Sequence, residues 1–540
     1  MTGILDGGAR PAEPTSVARD ISPGAGQAGP VIKEILAEFR GRTHSGDPLT
    51  VCLDLIAGGK ATKVSELLSR LSAPWRDHAI ASVYAILMPG ERRKRLGAYF
   101  TPPHLVDHLV TRLSSLGLDI CNDRIRDPAA GGAAFLVPLA RRKVAAWRLA
   151  GVSDDEVLAR LPEHLRGQEI DADLAQLANA LLRRMLVQEF GVSWDSTTHL
   201  ALVATGDSLA EKVTDQFDVE HEIGNPPYLR LAHAHEAERQ AEFADIVNGR
   251  LNLYVMFLRR AVDRVPPGGM VGYVVPASFL GGPEFKTFRS RIVQLAEVLV
   301  IDMIEKRSDV FLDATQDACF LVLRRRTQPA VAAEPAIAQS GVLKATGDFV
   351  YVGNATVEPN GEPWCLPGLN TREGATLLDW GYKGTIGYLV ANRQSERLHE
   401  AQNGGYFPLI WAKAICADGK FDFDRGLRHK GAGWVDAPEG APYIVRDECI
   451  AIQRTSSRGQ KRRLSAALIP KAFIDTHGGV VAENHVILLV KTRPDAIDAR
   501  EVVDTLNTSE ASEQLDRMCG SASISVRLLE KMKLPKATYR

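Results

Sequence analysis

A chain of 540 residues with 45% hydrophobic content is long enough for two or three domains and apolar enough to bury real cores. Its formal net charge of −1 excludes a polycation that coats nucleic acid by bulk attraction, so any such contact must come from local basic patches. Cys52, Cys121, Cys319, Cys365, Cys416, Cys449 and Cys519 are scattered, odd in number and form no CxxC pair, which argues against a disulfide framework or a zinc site and fits a reducing cytoplasm.

Residues 1–30 are rich in Gly, Pro and Ala, carry no apolar core of signal-peptide type, and read as a disordered leader. Nowhere is a stretch long and apolar enough to span a membrane, so a cytoplasmic protein is expected. Over residues 31–96 apolar residues recur at helical spacing (Val31, Ile32, Ile35, Leu36, Phe39, then Val64, Leu67, Leu68, Leu71), which predicts a small helical region packed as a cap on the domain after it. The basic run Arg92–Arg95 reads as a solvated face. Thr101 before Pro102-Pro103 predicts a helix N-cap, with His104–Leu113 as the helix.

Asp127-Pro128-Ala129-Ala130-Gly131-Gly132 then places an acid at a strand end, small residues, and an amphipathic helix carrying Phe135, Leu136, Leu139 and Val144. That is the layout of the first βα turn of a doubly wound sheet, where small residues let a ligand approach the backbone. Glu169 offers a carboxylate at a second strand end, suited to ribose hydroxyls. It lies further on than the roughly 20 residues of a dinucleotide fold, and an extra helix near Asp154–Leu161 accounts for the difference. A third strand end follows at Leu202–Asp207, and a fourth at Ile223-Gly224-Asn225-Pro226-Pro227-Tyr228. Acid or amide side chains thus stand at four successive strand ends, the edge where such sheets bind ligands.

The fourth is the most specific. Pro226 and Pro227 fix φ and remove two backbone donors, and Asn225 before them is pushed to an extended conformation. The corner presents one amide, one carbonyl and one aromatic ring rigidly. An exocyclic aromatic amine is a poor nucleophile because its lone pair is delocalised into the ring. The Asn225 oxygen and the Pro226 carbonyl can each accept one of its N–H groups and favour a pyramidal nitrogen, while Tyr228 stacks on the base. This chemistry needs neither a covalent nucleophile nor a metal. Beyond it, a charged stretch to Arg250, an amphipathic helix over Asn252–Val262, and strands at Met270–Val275, Val298–Met303 and Ala318–Leu323 are predicted, with Phe311 in a loop as a second face for a base.

Residues 328–345, rich in Ala and Pro, read as a linker. From 346 to 540 short strands alternate with Gly-rich turns at Gly384, Gly404-Gly405 and Gly431, and basic loops stand at Arg425–Lys430 and Arg454–Arg463. Arg454, Arg458, Lys461, Arg462 and Arg463, with Arg230 beside the fourth strand end, are candidate phosphate and groove contacts.

Gly97-x-Tyr99-Phe100-Thr101-Pro102, Asp127-Pro128-Ala129-x-Gly131 and Asn225-Pro226-Pro227-Tyr228, in this order, resemble the S-adenosylmethionine-dependent DNA methyltransferases that act on adenine N6. The order matches their gamma arrangement, with cofactor motifs first and a target-recognition domain last. The resemblance is good over about 97–325 and looser over 380–535. It implies an α/β class I methyltransferase fold: a doubly wound, mostly parallel, Rossmann-like sheet over residues 97–327, with a helical N-terminal cap and a β-rich recognition domain over 346–540. It implies S-adenosyl-L-methionine as cofactor, with Tyr99, Thr101 and Pro102 on its methionine part and Asp127, Ala129 and Gly131 at its methionine end. Glu169 would take the ribose hydroxyls, and Asp207 the cofactor's adenine amino group with Ser208 and Leu209 beside it. Asn225, Pro226, Pro227, Tyr228 and Phe311 would hold the flipped target base. The implied partners are double-stranded DNA and a separate restriction endonuclease or specificity subunit; no metal is implied.

Ala133 stands where the family's second loop glycine is usual, and Arg126 where an apolar strand end is usual. Two other readings remain. One is a methyltransferase acting on RNA or a protein glutamine, although such enzymes lack a large C-terminal domain. The other is a non-catalytic DNA-binding subunit of a defence complex, against which the intact Asn225, Tyr228 and Asp127 argue.

Overall fold

The computed structural model describes residues 25–40, 47–58, 62–96, 100–195, 200–210, 219–230, 239, 241–246, 252–305, 317–330, 334–367, 374–455, 462–518 and 524–534. Tyr99, Phe311, Arg458 and Lys461 lie outside them.

The first described helix, Ala25–Phe39, begins inside the stretch expected to be a leader. Its Ile32, Ile35, Leu36 and Phe39, expected to be helical, are buried in one core with Leu174, Leu177 and Leu181 of the sheet-bearing region, and Ala28 of the expected leader joins them. Helix Ala73–Leu87 sits centrally among the N-terminal helices and is buried on most of its faces. The helix predicted from His104 runs Pro103–Ser115, and its N-cap is Pro102, without a side-chain bond. Thr101 is therefore not the cap. Pro102 contributes its carbonyl to Leu105 and Val106, which leaves the Thr101 hydroxyl for another partner.

Among the described residues, nine strands form one sheet: β1 Ile125–Asp127, β2 Leu165–Glu169, β3 Val203–Thr205, β4 His221–Gly224, β5 Met270–Pro276, β6 Ala296–Ile304, β7 Ala318–Arg325, β8 Ala336–Leu343 and β9 Phe349–Val357. Their order is β3-β2-β1-β4-β5-β7-β6-β8-β9. The five strands β1–β5 pair in parallel, and β7 runs antiparallel between β5 and β6. The chain leaves β1 towards β2 and β3 on one side, then returns to β4 on the other. That reversal opens a crevice at the carboxyl ends of β1 and β4. Helices such as Leu136–Leu149, Ala172–Arg184 and Leu253–Arg264 cover the sheet with their apolar faces. This is the doubly wound, mostly parallel architecture expected.

The sheet does not stop at the predicted linker. Strand β8 pairs in parallel with β6, and β9 pairs antiparallel with β8, so residues 336–343 are structural and not a tether. Alternation marks its middle: Ala338 and Ser340 are buried while Ile337 and Gln339 are exposed, and the register shifts after Ser340. Trp364 and Leu366 also belong to the core of the β5 side of the sheet.

Beyond it, β10 Tyr382–Ile386, β17 Val486–Lys491, β14 Cys449–Gln453 and β15 Ala466–Ile469 form one sheet in that order. Strands β11 Leu398–His399, β13 Trp434–Asp436, β12 Tyr406–Ile410 and β16 Val481–Ala482 form another. Gly384, expected in a turn, lies inside β10, where a Cβ would stand 2.7 Å from Val526 Cγ1; close packing is what requires the glycine. The expected basic loop Arg425–Lys430 is part of a helix, Phe423–Lys430, capped by Asp422 accepting from Arg425 N at 3.0 Å. A Ser, Thr, Asn or Asp before a short polar run is a cap signal that charge alone obscures. No described helix is long and apolar enough to cross a membrane.

Candidate active site

Strands β1 and β4 are neighbours, with Ile125 opposite His221 and Arg126 opposite Glu222. That register brings Asp127, the last residue of β1, beside the Gly224–Asn225 corner. A Cβ on Gly224 would lie 2.7 Å from Asp127 Oδ1, so glycine is what allows the acid and the amide to share this edge. Pro226 and Pro227 then end the strand, because neither can donate to a ladder.

Asn225 is half-buried and its amide is held at both ends. Its Nδ2 donates to Thr101 Oγ1 at 3.0 Å, and its Oδ1 accepts from the Tyr228 hydroxyl. That hydroxyl also stands 3.0 Å from the carbonyl of Val274 on β5. Its single proton serves one acceptor at a time. The Tyr228 ring meets Tyr254 edge to face at 6.3 Å, and Tyr254 packs on Phe285.

Asp127 is fully buried. Its Oδ1 accepts from Ala129 N at 3.1 Å, while Oδ2 has no hydrogen-bond partner. Burial pushes its carboxyl up to about 8; the Ala129 N–H opposes this, and Glu169 and Glu222 nearby reinforce it. Gly131 follows at φ +51°, with Phe100 within 3.4 Å of where a Cβ would be. Ala133 keeps the left-handed conformation at φ +59°, so the loop has the shape a glycine gives and bears the strain of a Cβ there. Arg126, the other departure, is explained: it is buried and donates to the Gln168 side chain on β2.

Glu169 ends β2, also buried. Its Oε2 accepts from Gly131 N at 2.8 Å and its Oε1 from Asp171 N at 3.0 Å, so it braces the loop. Burial raises its pKa, and these N–H groups oppose the rise. Each oxygen retains a lone pair for a further donor. Asp207, past β3, accepts from Leu209 N at 2.9 Å and forms an ion pair with Arg239. Ser208 turns inward: its hydroxyl is 2.6 Å from the Pro128 carbonyl and 2.8 Å from Gln168 Oε1. Leu209 is buried. The strand ends therefore bring together Thr101, Pro102, Asp127, Ala129, Gly131, Glu169 and Asn225 with Asp207 at the flank.

Sequence reasoning missed the group beneath. Glu222 is buried in β4, with Tyr273 donating at 2.7 Å and Arg264 at 3.2 Å. A glutamate two residues before the Gly224–Asn225 corner was the available signal. Arg239 carried none, standing in a stretch with many charges.

The basic candidates are used differently. Arg230 is exposed and its backbone bridges to Asn252. Arg454 is half-buried and donates to the Asn484 carbonyl at 3.0 Å. Arg462 is exposed, with one bond to the Asn507 carbonyl at 2.7 Å, and Arg463 is half-buried. Elsewhere, the loop after β5 is fastened to the C-terminal half. Arg289, nearly fully buried, donates to the carbonyls of Phe279, Gly282, Gly361 and Glu362, and Trp364 stands edge to face on Phe279.

Residues 159–311 match the Eco57I restriction-modification methylase family. Similar curated proteins include the Type II methyltransferase M.PaeR7I of Pseudomonas aeruginosa, 28% identical over 43% of this chain and 41% of its own length. The Type II methyltransferase M.BsuBI of Bacillus subtilis is 22% identical over 82% of this chain and 88% of its own length. Among solved structures, the Type IIL restriction-modification enzyme MmeI in complex with DNA covers 93% of this chain, with 87% of its own chain aligned, at 11% identity and a TM-score of 0.51. At that identity the likeness concerns the fold. The family match takes in β2, β3, β4, the Asn-Pro-Pro-Tyr corner, β5 and β6, so this stretch of the chain is similar to the Eco57I restriction-modification methylases.

Proposed function

We propose that this protein transfers a methyl group from S-adenosyl-L-methionine to N6 of an adenine flipped out of duplex DNA, as the modification enzyme of a restriction-modification system. The observation that carries the reading is the Asn225-Pro226-Pro227-Tyr228 corner standing one strand away from the buried, half-satisfied carboxyl of Asp127. Asp127 Oδ2 fits a cationic group, since a buried carboxyl oxygen with no partner gains both a donor and a countercharge from an ammonium. When bound, the cofactor supplies a methyl group on a sulfonium, which leaves as the neutral thioether.

Glu169 offers its spare lone pairs to the ribose hydroxyls. Asp207 takes the cofactor's adenine amino group, with the Ser208–Leu209 backbone alongside. Pro102, Ala129 and Gly131, with Tyr99, line the methionine part. On the target side, Asn225 Oδ1 and the Pro226 carbonyl accept the two N–H groups of the amine and turn its lone pair towards the methyl. The Tyr228 ring and Phe311 sandwich the base. Because N6 is not reachable within the stack, the base must be extruded. Arg230, Arg462 and Arg463, with Arg458 and Lys461, contact the DNA backbone. Arg454 contributes through the loop it braces. A separate endonuclease or specificity subunit completes the system.

The test is incubation of the purified protein with methyl-labelled cofactor and unmodified bacteriophage DNA, followed by nucleoside analysis. Label in N6-methyl-2′-deoxyadenosine is expected. Label on cytosine, or on added RNA or protein but not on DNA, would overturn the assignment.

A further inference from the structure

Resting on the methyltransferase reading, we propose that Thr101 is a positioning residue for methyl transfer: its hydroxyl oxygen holds the nitrogen end of the Asn225 amide and so keeps the oxygen end available to the target amine. The contact joins residues 124 positions apart in sequence, at 3.0 Å.

A terminal amide rotates over a broad, two-fold torsion. Its oxygen and nitrogen differ little in size, so the partners decide which end faces the substrate. The distinction is decisive here. An amide oxygen accepts an N–H of the target amine, whereas an amide nitrogen would confront it donor to donor. Tyr228 alone cannot fix the choice. Its hydroxyl has a second acceptor in the Val274 carbonyl at 3.0 Å, and once turned there it presents a lone pair that an amide nitrogen could use.

A threonine hydroxyl can also donate or accept, but its alkyl oxygen is a better acceptor and a weaker donor than a phenol. Of the two hydroxyls, that of Thr101 is therefore the one suited to the nitrogen end, and Thr101 is firmly mounted. It is 3% exposed, next to Pro102 and Pro103, at the entrance of a helix whose Leu105, Val106 and Leu109 are fully buried. Two prolines fix the backbone that carries it. Its hydroxyl is not spent on a helix cap, since Pro102 occupies that position. With the Tyr228 proton at Oδ1, the Thr101 oxygen takes the nitrogen end. When the target amine arrives and claims Oδ1, the Tyr228 proton has the Val274 carbonyl to turn to, while Thr101 keeps the amide in register.

The experiment compares wild type, Thr101→Val and Thr101→Ser in single-turnover methyl transfer to unmodified bacteriophage DNA, with cofactor affinity measured separately by titration. Thr101→Val should slow transfer at saturating cofactor by about tenfold, the factor that corresponds to one net hydrogen bond. Because Thr101 is also expected beside the methionine part of the cofactor, any change in cofactor Kd is read separately from the rate at saturation, and Thr101→Ser should recover most of that rate. Transfer by Thr101→Val within about twofold of wild type would overturn the proposal, as would a loss explained wholly by weaker cofactor binding. If valine lowers the melting temperature, Thr101→Ala replaces it and must show the same split. A wild type inactive on all DNA would instead sink the methyltransferase reading, which this comparison keeps separate.

Discussion

The carboxyl edge of the parallel sheet and the C-terminal region present their functional side chains in opposite ways. At the edge, Asp127, Glu169 and Asn225 sit at or just past the ends of adjacent strands, so the backbone topology brings them together. In the C-terminal region Arg454 and Arg462 lie outside the strands and helices, and both are tied to backbone carbonyls. A side chain at a strand end has its position dictated by register. A side chain on a surface loop has it dictated by whichever carbonyl lies within reach. Roles can therefore be assigned residue by residue at the sheet edge, and only by region in the C-terminal part.

The sharpest way to break that contrast is Asn225→Ala. It removes the acceptor for the target amine and should slow transfer by about a hundred- to a thousandfold, with the cofactor Kd nearly unchanged in a titration. Equal loss of both would mean that the edge does not separate target and cofactor roles. Next in size is Arg289→Ala, which removes a buried donor from the carbonyls of Phe279, Gly282, Gly361 and Glu362. It should cost about 3–5 kcal/mol in denaturant unfolding, and a loss under about 1 kcal/mol would show that the loop after β5 is held by other contacts.

Asp127 sharpens the comparison through pH. Its carboxyl is held up to about 8, against 3.8 when free. The folded protein binds this proton more tightly than the unfolded chain. Its contribution to stability is therefore complete below about pH 4 and is lost as pH rises through about 8. Asp127→Asn should accordingly raise the melting temperature of the cofactor-free protein at pH 8.5 and change it little at pH 4. The same substitution should weaken cofactor binding about tenfold. Wild-type affinity should improve as pH rises from 6 to 8, because the carboxylate is the binding form. A flat titration across that range would remove Asp127 from the ammonium site. The smallest effect belongs to the loops. Arg462→Ala should reduce the slope of log K against log salt for duplex DNA by about 0.9, and an unchanged slope would leave Arg462 as a bracket for Asn507.

Much of the edge was legible in the sequence because periodicity and strand-end acids are local signals. Asp127, Glu169, Asp207 and the Asn-Pro-Pro-Tyr corner all announce themselves within a few residues. The Thr101–Asn225 contact was not legible, since a threonine before two prolines looks like a helix cap and only the fold shows the cap taken by Pro102. The sheet extension was misread for a related reason: an Ala- and Pro-rich stretch resembles a tether until pairing with β6 gives its alternation a meaning. Arg239 could not be found at all, as its ion pair with Asp207 joins segments that nothing in the sequence relates. The leader ends earlier than its composition suggests, because the helix from Ala25 carries Ala28 into the core.

Strands β8 and β9 and the Trp364 segment bear on engineering. On the proposed function, anyone wishing to give this protein a new target sequence by exchanging its C-terminal part would be tempted to splice at the Ala- and Pro-rich stretch near residue 330. Such a hybrid would discard two strands of the methylase's own sheet and the tryptophan that seats against Phe279. A graft that preserves everything through Leu366 keeps that interior whole and leaves the donor module to supply only its own.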